Sequence, residues 1–174
     1  MISGLEIFEQ VQNGKITIEP FDYKSCGPNS YDIRLGHKML RVQSNCLTHI
    51  DTRKKGATMP NDLVDGYFIL HPNEVYLGSS VEYFGSDKFV PTIHGRSSCA
   101  RHGLMVHLSA GFADCGWYGN LVFELVNMTQ YPMMVYAGDR IAQIAFERIE
   151  GEVDLYKSTY QGQRGPTPAK SLGD

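Results

Sequence analysis

Residues 95–127 read GRSSCARHGLMVHLSAGFADCGWYGNLVFELVN, and their punctuation decides the fold. The stretch closes on Leu121-Val-Phe-Glu-Leu-Val-Asn, where period-two alternation puts Leu121, Phe123 and Leu125 on one face and Val122, Glu124 and Val126 on the other. Gly111, Gly116 and Gly119 mark a tight loop before it, and Gly95 and Gly103 bracket room for one or two helical turns. The building unit is therefore a short strand between Gly/Asp turns. It recurs outward at Tyr67–Leu70, Val75–Tyr83, Phe89–His94, Met105–Leu108, Met133–Tyr136 and Arg140–Phe146, with turn clusters at Gly85-Ser-Asp, Gly116–Asn120 and Ala137-Gly-Asp. Many short strands at regular spacing predict a mainly β sandwich or barrel-like fold.

Towards the N-terminus, Ser3 to Asn13 predicts a short helix, with Ser3 and Glu6 as a capping box, Leu5, Phe8 and Val11 on one face, and Gly14 as the stop. A brief strand follows at Ile16–Pro20, then a polar loop to Ser30. Tyr31–Leu35 alternates as a strand, and Gly36 is expected to turn into a second one at Lys38–Val42. Residues 43–66 are polar and lysine-bearing, a long loop or hairpin excursion. Residues 158–174 are rich in Gly, Pro and Gln, and composition alone makes them a disordered tail.

The 174 residues suit one domain able to bury a sizeable core, and 42% hydrophobic with 20% charged residues argues against wholesale disorder. A formal charge of −3 offers no general attraction to nucleic acid or membranes, so a polyanion must be held by a local arginine cluster. No apolar run approaches membrane-span length and the first residues carry no export pattern. Cys26, Cys46, Cys99 and Cys115 are expected as free thiols, and the protein as cytoplasmic.

Two features carry chemistry. Gly95-Arg-Ser-Ser begins a short helical segment whose free N–H groups stand beside hydroxyls and a guanidinium, which is either a phosphate site or an ordinary connector with solvated arginines. Ser97 and Arg101, four apart, share a helical face. Glu124 lies on a strand that is apolar on both sides. It is either paired with a cation, or reaches water at an edge, or has a raised pKa suited to a general acid/base. Asp114 sits in the glycine-rich turn as a turn former or a partner for a sugar hydroxyl. The histidines and cysteines form no CxxC or HxxxH, and H-x-E…P-C-x-x-C is absent, so zinc is not expected. No G-x-S-x-G elbow supports a serine hydrolase, and Cys99 reads as structural.

GRSSCARHGL, SAGFADCGWYGNLVFELVN, AGDRIAQIAF and TYQGQRGPTP, with NSYDIRLG upstream, together resemble dCTP deaminase, of the trimeric dUTP pyrophosphatase superfamily. The resemblance runs from the N-terminal helix to the tail. It implies a distorted β-sandwich of jelly-roll type (β-clip, dUTPase-like) and a homotrimer with active sites at subunit interfaces. It also implies dCTP as substrate, attack of water on C4 without zinc, and Mg2+ carried by the triphosphate rather than by protein ligands. By resemblance Glu124 activates the water and shuttles its proton, Ser97 helps hold the water, and Arg101 stands near the reacting centre. Arg96 and Ser98 fall in the phosphate corner, the backbone of Leu108 and Ala110 reads the base, and Asp114 lies near the deoxyribose. Tyr160 and Gln163 belong to a C-terminal segment, 158–174, that folds as a lid over the triphosphate of a single domain spanning 1–174.

Cys115 stands where the family usually has proline, which is expected to loosen the turn. Thr159 replaces a usual lysine, leaving a phosphate contact for which Lys157 is the expected substitute. The first reading is deamination to dUTP and ammonia. The alternative continues in the same site to dUMP and pyrophosphate: Ala110-Gly-Phe resembles such bifunctional members, whereas Ala-Arg-His-Gly-Leu-Met-Val-His resembles the single-function type. A dUTP pyrophosphatase without deamination and a non-catalytic nucleotide-binding trimer are the further alternatives.

Overall fold

The computed structural model describes residues 1–173; Asp174, the last residue of the expected lid, lies outside them. The chain is mainly β, as its alternation predicts. In order it forms α1 (Gly4–Gln12), β1 (Thr17–Glu19), a 3-10 turn (Tyr23–Ser25), β2 (Tyr31–Gln43), β3 (Ala57–Pro60), β4 (Tyr67–Leu70), β5 (Val75–Gly85) and β6 (Phe89–Gly95). There follow α2 (Ser97–Arg101), β7 (Leu104–Met105), β8 (Tyr118–Asn127), β9 (Met133–Tyr136) and β10 (Arg140–Arg148). The main sheet runs β6-β10-β2-β5-β8-β7, with β1 added to β5 and β3 to β2, while β4 and β9 form a separate pair. Phe84, Phe123, Leu125, Ile144 and Phe146 from this sheet, with Phe68 and Leu70 of β4, close into one apolar core.

Three local differences from the sequence reading have physical causes. Ser3 caps α1 by accepting the Glu6 N–H (3.2 Å), but the Glu6 carboxylate pairs with Arg148, so the capping box is half made. The buried face of α1 is Gly4 and Ile7, while Leu5 is 66% exposed. Gly4 sets that rotation: its N–H bonds Pro28 O (2.9 Å), and a Cβ there would lie 1.8 Å from Gly27 O. Gly36 is a bend inside one 13-residue strand, not a turn. There β2 passes from β10, paired through Tyr31–Arg34, to β5, paired from Leu35, and a Cβ at Gly36 would stand 3.0 Å from Ser79 O.

β8 positions the site. Its far side pairs with β5 throughout, from Tyr118↔Gly85 to Val126↔Val75. Its near edge is occupied at both ends and open in the middle. At the C-terminal end β7 pairs Leu104↔Asn127 and Met105↔Val126. At the N-terminal end the tail adds itself to the strand: Asn120 N–H donates to Gln163 O (3.0 Å) and Gly162 N–H to Tyr118 O (2.8 Å). The tail thus carries neither helix nor strand of its own yet is fastened to the sheet. An open gap between two covered ends leaves Leu121, Val122 and Glu124 facing a hollow, while Phe123 and Leu125 turn into the core.

Candidate active site

The hollow is a cavity of about 440 Å³. Val122 and Glu124 of β8, Leu77 paired beside Glu124 on β5, and Val42 and Thr58 of β2 and β3 line it from the same sheet, and the tail residues Tyr160 and Gln163 close over it. Ala110 and Asp114 enter from the glycine-rich loop. The structure therefore brings together Glu124, Ala110, Asp114, Tyr160 and Gln163. Leu108 joins them through its backbone, donating its N–H to Glu124 Oε2 at 3.3 Å.

Glu124 sits on a valine-flanked strand, and loss of water around it pushes its pKa above the ordinary carboxylate value. The Leu108 N–H and the nearby His107 pull the other way without cancelling the burial. Of the three environments the sequence left open, the structure shows partial burial on an apolar strand, the one that raises a carboxylate pKa. No Lys, Arg or His lines the cavity among the described residues, so no cation of the same chain neutralises it there.

The basic corner lies elsewhere. α2 forms where predicted, with Arg96 at its N-cap, but Ser97, Ser98 and Arg101 are exposed. None of the four lines the Glu124 cavity; Ser98 borders a different one of about 410 Å³, walled by Met133 and Tyr136 of β9. The Arg96 guanidinium is held inside the chain, donating to Arg140 O (3.1 Å) and standing 3.4 Å from Asp32 Oδ2. Asp32 also lies 3.9 Å from Arg140. The corner is thus pre-oriented by an acid, and it lies apart from Glu124 within the chain.

The Asp114 turn is closed by Trp117 N–H to Asp114 O (3.0 Å), and Cys115 is buried within it. Gly116 holds a left-handed φ of 86° against Leu155 and Tyr156, where a Cβ would lie 2.7 Å from the Leu155 Cβ. Trp117 is core, 5% exposed, and donates its indole N–H to Tyr160 O (2.9 Å), which ties tail to core. All four cysteines are free thiols. Lys157 is exposed; the cation found beside Thr159 is Lys170, whose Nζ donates to Thr159 O (2.8 Å) and lies 5.5 Å from the Tyr160 ring centre.

Two contributors escaped the sequence reading. His107 neighbours Glu124, and its Nδ1 is buried without a hydrogen-bond partner. Asn120 is nearly buried, and its amide donates to Ser80 O (3.1 Å), Val81 O (3.3 Å) and Glu82 O (3.1 Å). Those carbonyls belong to the register shift of β5 opposite β8, while the Asn120 backbone C=O accepts the Gln163 side-chain amide at 3.0 Å. An asparagine at the start of an apolar run was the available signal, since such a residue there must bond backbone.

The sequence profile of dCTP deaminase-like proteins matches residues 1–149. A protein of Salinispora tropica named dCTP deaminase, dUMP-forming, is 36% identical over 182 residues, covering 98% of this chain and 94% of its own length. A protein of the same name from Cytophaga hutchinsonii is 37% identical over 170 residues, covering 97% and 95%. The solved 2'-deoxycytidine 5'-triphosphate deaminase of Agrobacterium tumefaciens superposes with a TM-score of 0.65 at 22% identity, over 83% of this chain and 46% of that one, a likeness of fold. The class defined by this sheet and its topology is thus the mainly β fold of that deaminase. Within it, the chain belongs to the dCTP deaminase-like family.

Proposed function

We propose that this protein deaminates dCTP at the Glu124 cavity and carries the product on to dUMP. The observation that supports it is one half-buried carboxylate with a raised pKa, tethered by a backbone N–H in the open middle of a strand edge. Glu124 takes a proton from the water whose oxygen bonds to C4 and delivers it to the ring nitrogen. It then takes the remaining hydroxyl proton and passes it to the departing amine as the C4–N4 bond breaks, leaving a carbonyl at C4 and ammonia. One group whose pKa lies closer to neutrality than an ordinary carboxylate can perform these moves in turn. The backbone of Leu108 and Ala110 would read the base edge, with Asp114 near the sugar.

A nucleoside triphosphate brings several negative charges to a cavity that no cation of the same chain lines. That deficit supports the oligomeric reading: Arg96, Ser97, Ser98 and Arg101 of a second copy complete the site, in a homotrimer. Exposed Met134, Tyr136 and Tyr131 near the α2 corner give such an assembly apolar surface to bury. Mg2+ would be held by the triphosphate oxygens and supply charge neutralisation. A hard cation of this kind is commonly bound through substrate phosphates rather than by an all-protein cage. Residues 158–174 serve as the lid of this single domain. None of the structure's helices is long and apolar enough to cross a membrane among the described residues, and the reaction's substrate is a soluble nucleotide.

The second step, water attacking phosphorus to release pyrophosphate and dUMP, is supported by the names of the two relatives, both dUMP-forming. The experiment is product analysis with purified protein, dCTP and Mg2+. Ammonia matched by dUMP and pyrophosphate is expected; ammonia with accumulating dUTP would restrict the reading to deamination. Absence of ammonia would overturn it.

A further inference from the structure

The tail over the Glu124 cavity is fastened at two places. The near fastening is the start of β8, described above. The far one is in the 43–66 excursion, to which neither composition nor the family resemblance assigns a role. Gly56 N–H donates to Ala169 O (2.8 Å), Leu172 N–H to Thr52 O (2.9 Å), and Ser171 Oγ to Arg53 O (2.7 Å). Between the two fastenings Thr167 and Ala169 border the cavity from the tail side, and Gly56, Ala57 and Thr58 border it from the loop side.

Gly56 is shaped to the tail. A Cβ built on it would meet Ala169 N at 3.1 Å, Ala169 O at 3.2 Å and Ala169 Cβ at 3.3 Å, and these are its three nearest atoms. Its own φ lies outside the left-handed region, so the loop backbone there accepts any L residue. The glycine therefore serves the contact with the tail and not a turn of the loop.

Charge points the same way. Arg53, Lys54 and Lys55 lead into Gly56, and Lys170 follows Ala169, so the loop–tail contact joins two basic segments of the chain, with the Lys170 Nζ on Thr159 O (2.8 Å). Asp51 is the acidic neighbour in the loop, and one of its oxygens accepts the Arg53 N–H at 3.0 Å. Basic segments brought together repel less when an anion is bound near them, and the nucleoside triphosphate of the proposed function is such an anion.

We propose that Thr52–Gly56 is the seat that positions the C-terminal segment over the reaction cavity, with Gly56 as the positioning residue and seating coupled to triphosphate binding. The inference rests on the proposed function for its ligand. Gly56→Val puts a branched side chain into the seat without straining the loop. The KM for dCTP is expected to rise about tenfold with kcat within about twofold, because enclosure of the bound nucleotide is lost and the chemistry is not. Trypsin is expected to cut after Arg164 and Lys170 about tenfold faster than in the parent, as local opening controls cleavage. Leu172→Pro, which deletes a seat bond at the chain end and leaves the core untouched, is expected to act likewise, and the double variant to fall short of the product of the two effects. Unchanged cleavage and KM, faster cleavage with unchanged KM, or fully multiplicative effects would each overturn the proposal. The cleavage comparison needs no turnover, so it decides the seat even if no ammonia is released, the outcome that sinks the proposed deamination alone.

Discussion

Glu124→Gln separates chemistry from binding at this site. The amide is isosteric with the carboxylate and keeps an oxygen to accept the Leu108 N–H, now 3.3 Å from Oε2, so the Leu108 backbone holds its place. What is lost is every proton move, because among the described residues the only other carboxylate lining the cavity is Asp114, which is exposed in the glycine-rich turn. General acid/base catalysis contributes about 10²–10⁴-fold, and a single group serving successive transfers belongs at the upper end, about 10⁴-fold or about 5 kcal/mol of barrier. Ammonia release at saturating dCTP should fall by that factor, with the dCTP dissociation constant, read by calorimetry, within about threefold of the parent. Stability should move the other way. A carboxylate whose folded pKa is raised binds its proton more tightly in the folded chain than in the unfolded one. Parent stability therefore declines as pH rises from the ordinary value of 4.5 through the raised one and stays level above it. The glutamine has no such decline, so the melting-temperature difference, variant minus parent, should grow across that window. A variant that keeps more than about one per cent of the parent's turnover would refute the single-shuttle reasoning, and a flat difference across the window would refute the desolvated carboxylate.

Arg101→Ala removes an exposed side chain, so melting should shift by no more than about 1 °C, while on the proposed assembly ammonia release falls at least about a hundredfold through loss of a charge from a second copy's site; full activity would detach α2 from the reaction. Glu82 is 0% exposed and accepts both the Arg34 N–H (2.9 Å) and Nε (2.6 Å). Glu82→Gln should therefore destabilise by about 3 kcal/mol in urea unfolding, at the low end for a broken buried pair because Arg34 still reaches water. Asn120→Ala strips the amide from the β5 carbonyls and should lose about 1–3 kcal/mol, with trypsin cutting the tail sooner; unchanged cleavage would mean that the Asn120 backbone alone suffices to hold it.

Glu124 was legible because β periodicity is local: two valines flanking an acid on an alternating run place it on an apolar face whatever surrounds the sheet. α2 and its arginines were legible for the same reason, as a glycine-bracketed segment can hold only a short helix. Helix α1 was found but its buried face was not, since Ile7 rather than Leu5 turns inward through a close approach of Gly4 to Gly27, which lies far along the chain. Gly36 likewise looked like a turn because a register change between two partner strands leaves no local trace.

The sequence by itself determined the strands, the turns, the short helices and which residues are chemically able to act, because these follow from neighbours within a few positions. Tertiary structure alone decided that β8 has an open edge between β7 and the tail, and that Glu124 is desolvated in a cavity that no Lys, Arg or His among the described residues lines. It also decided that the basic corner lies away from the acid, and that the polar 43–66 excursion meets a tail whose composition reads as disordered. These are relations between segments far apart in sequence, set by how the sheet pairs and closes, and no window of the sequence contains both partners.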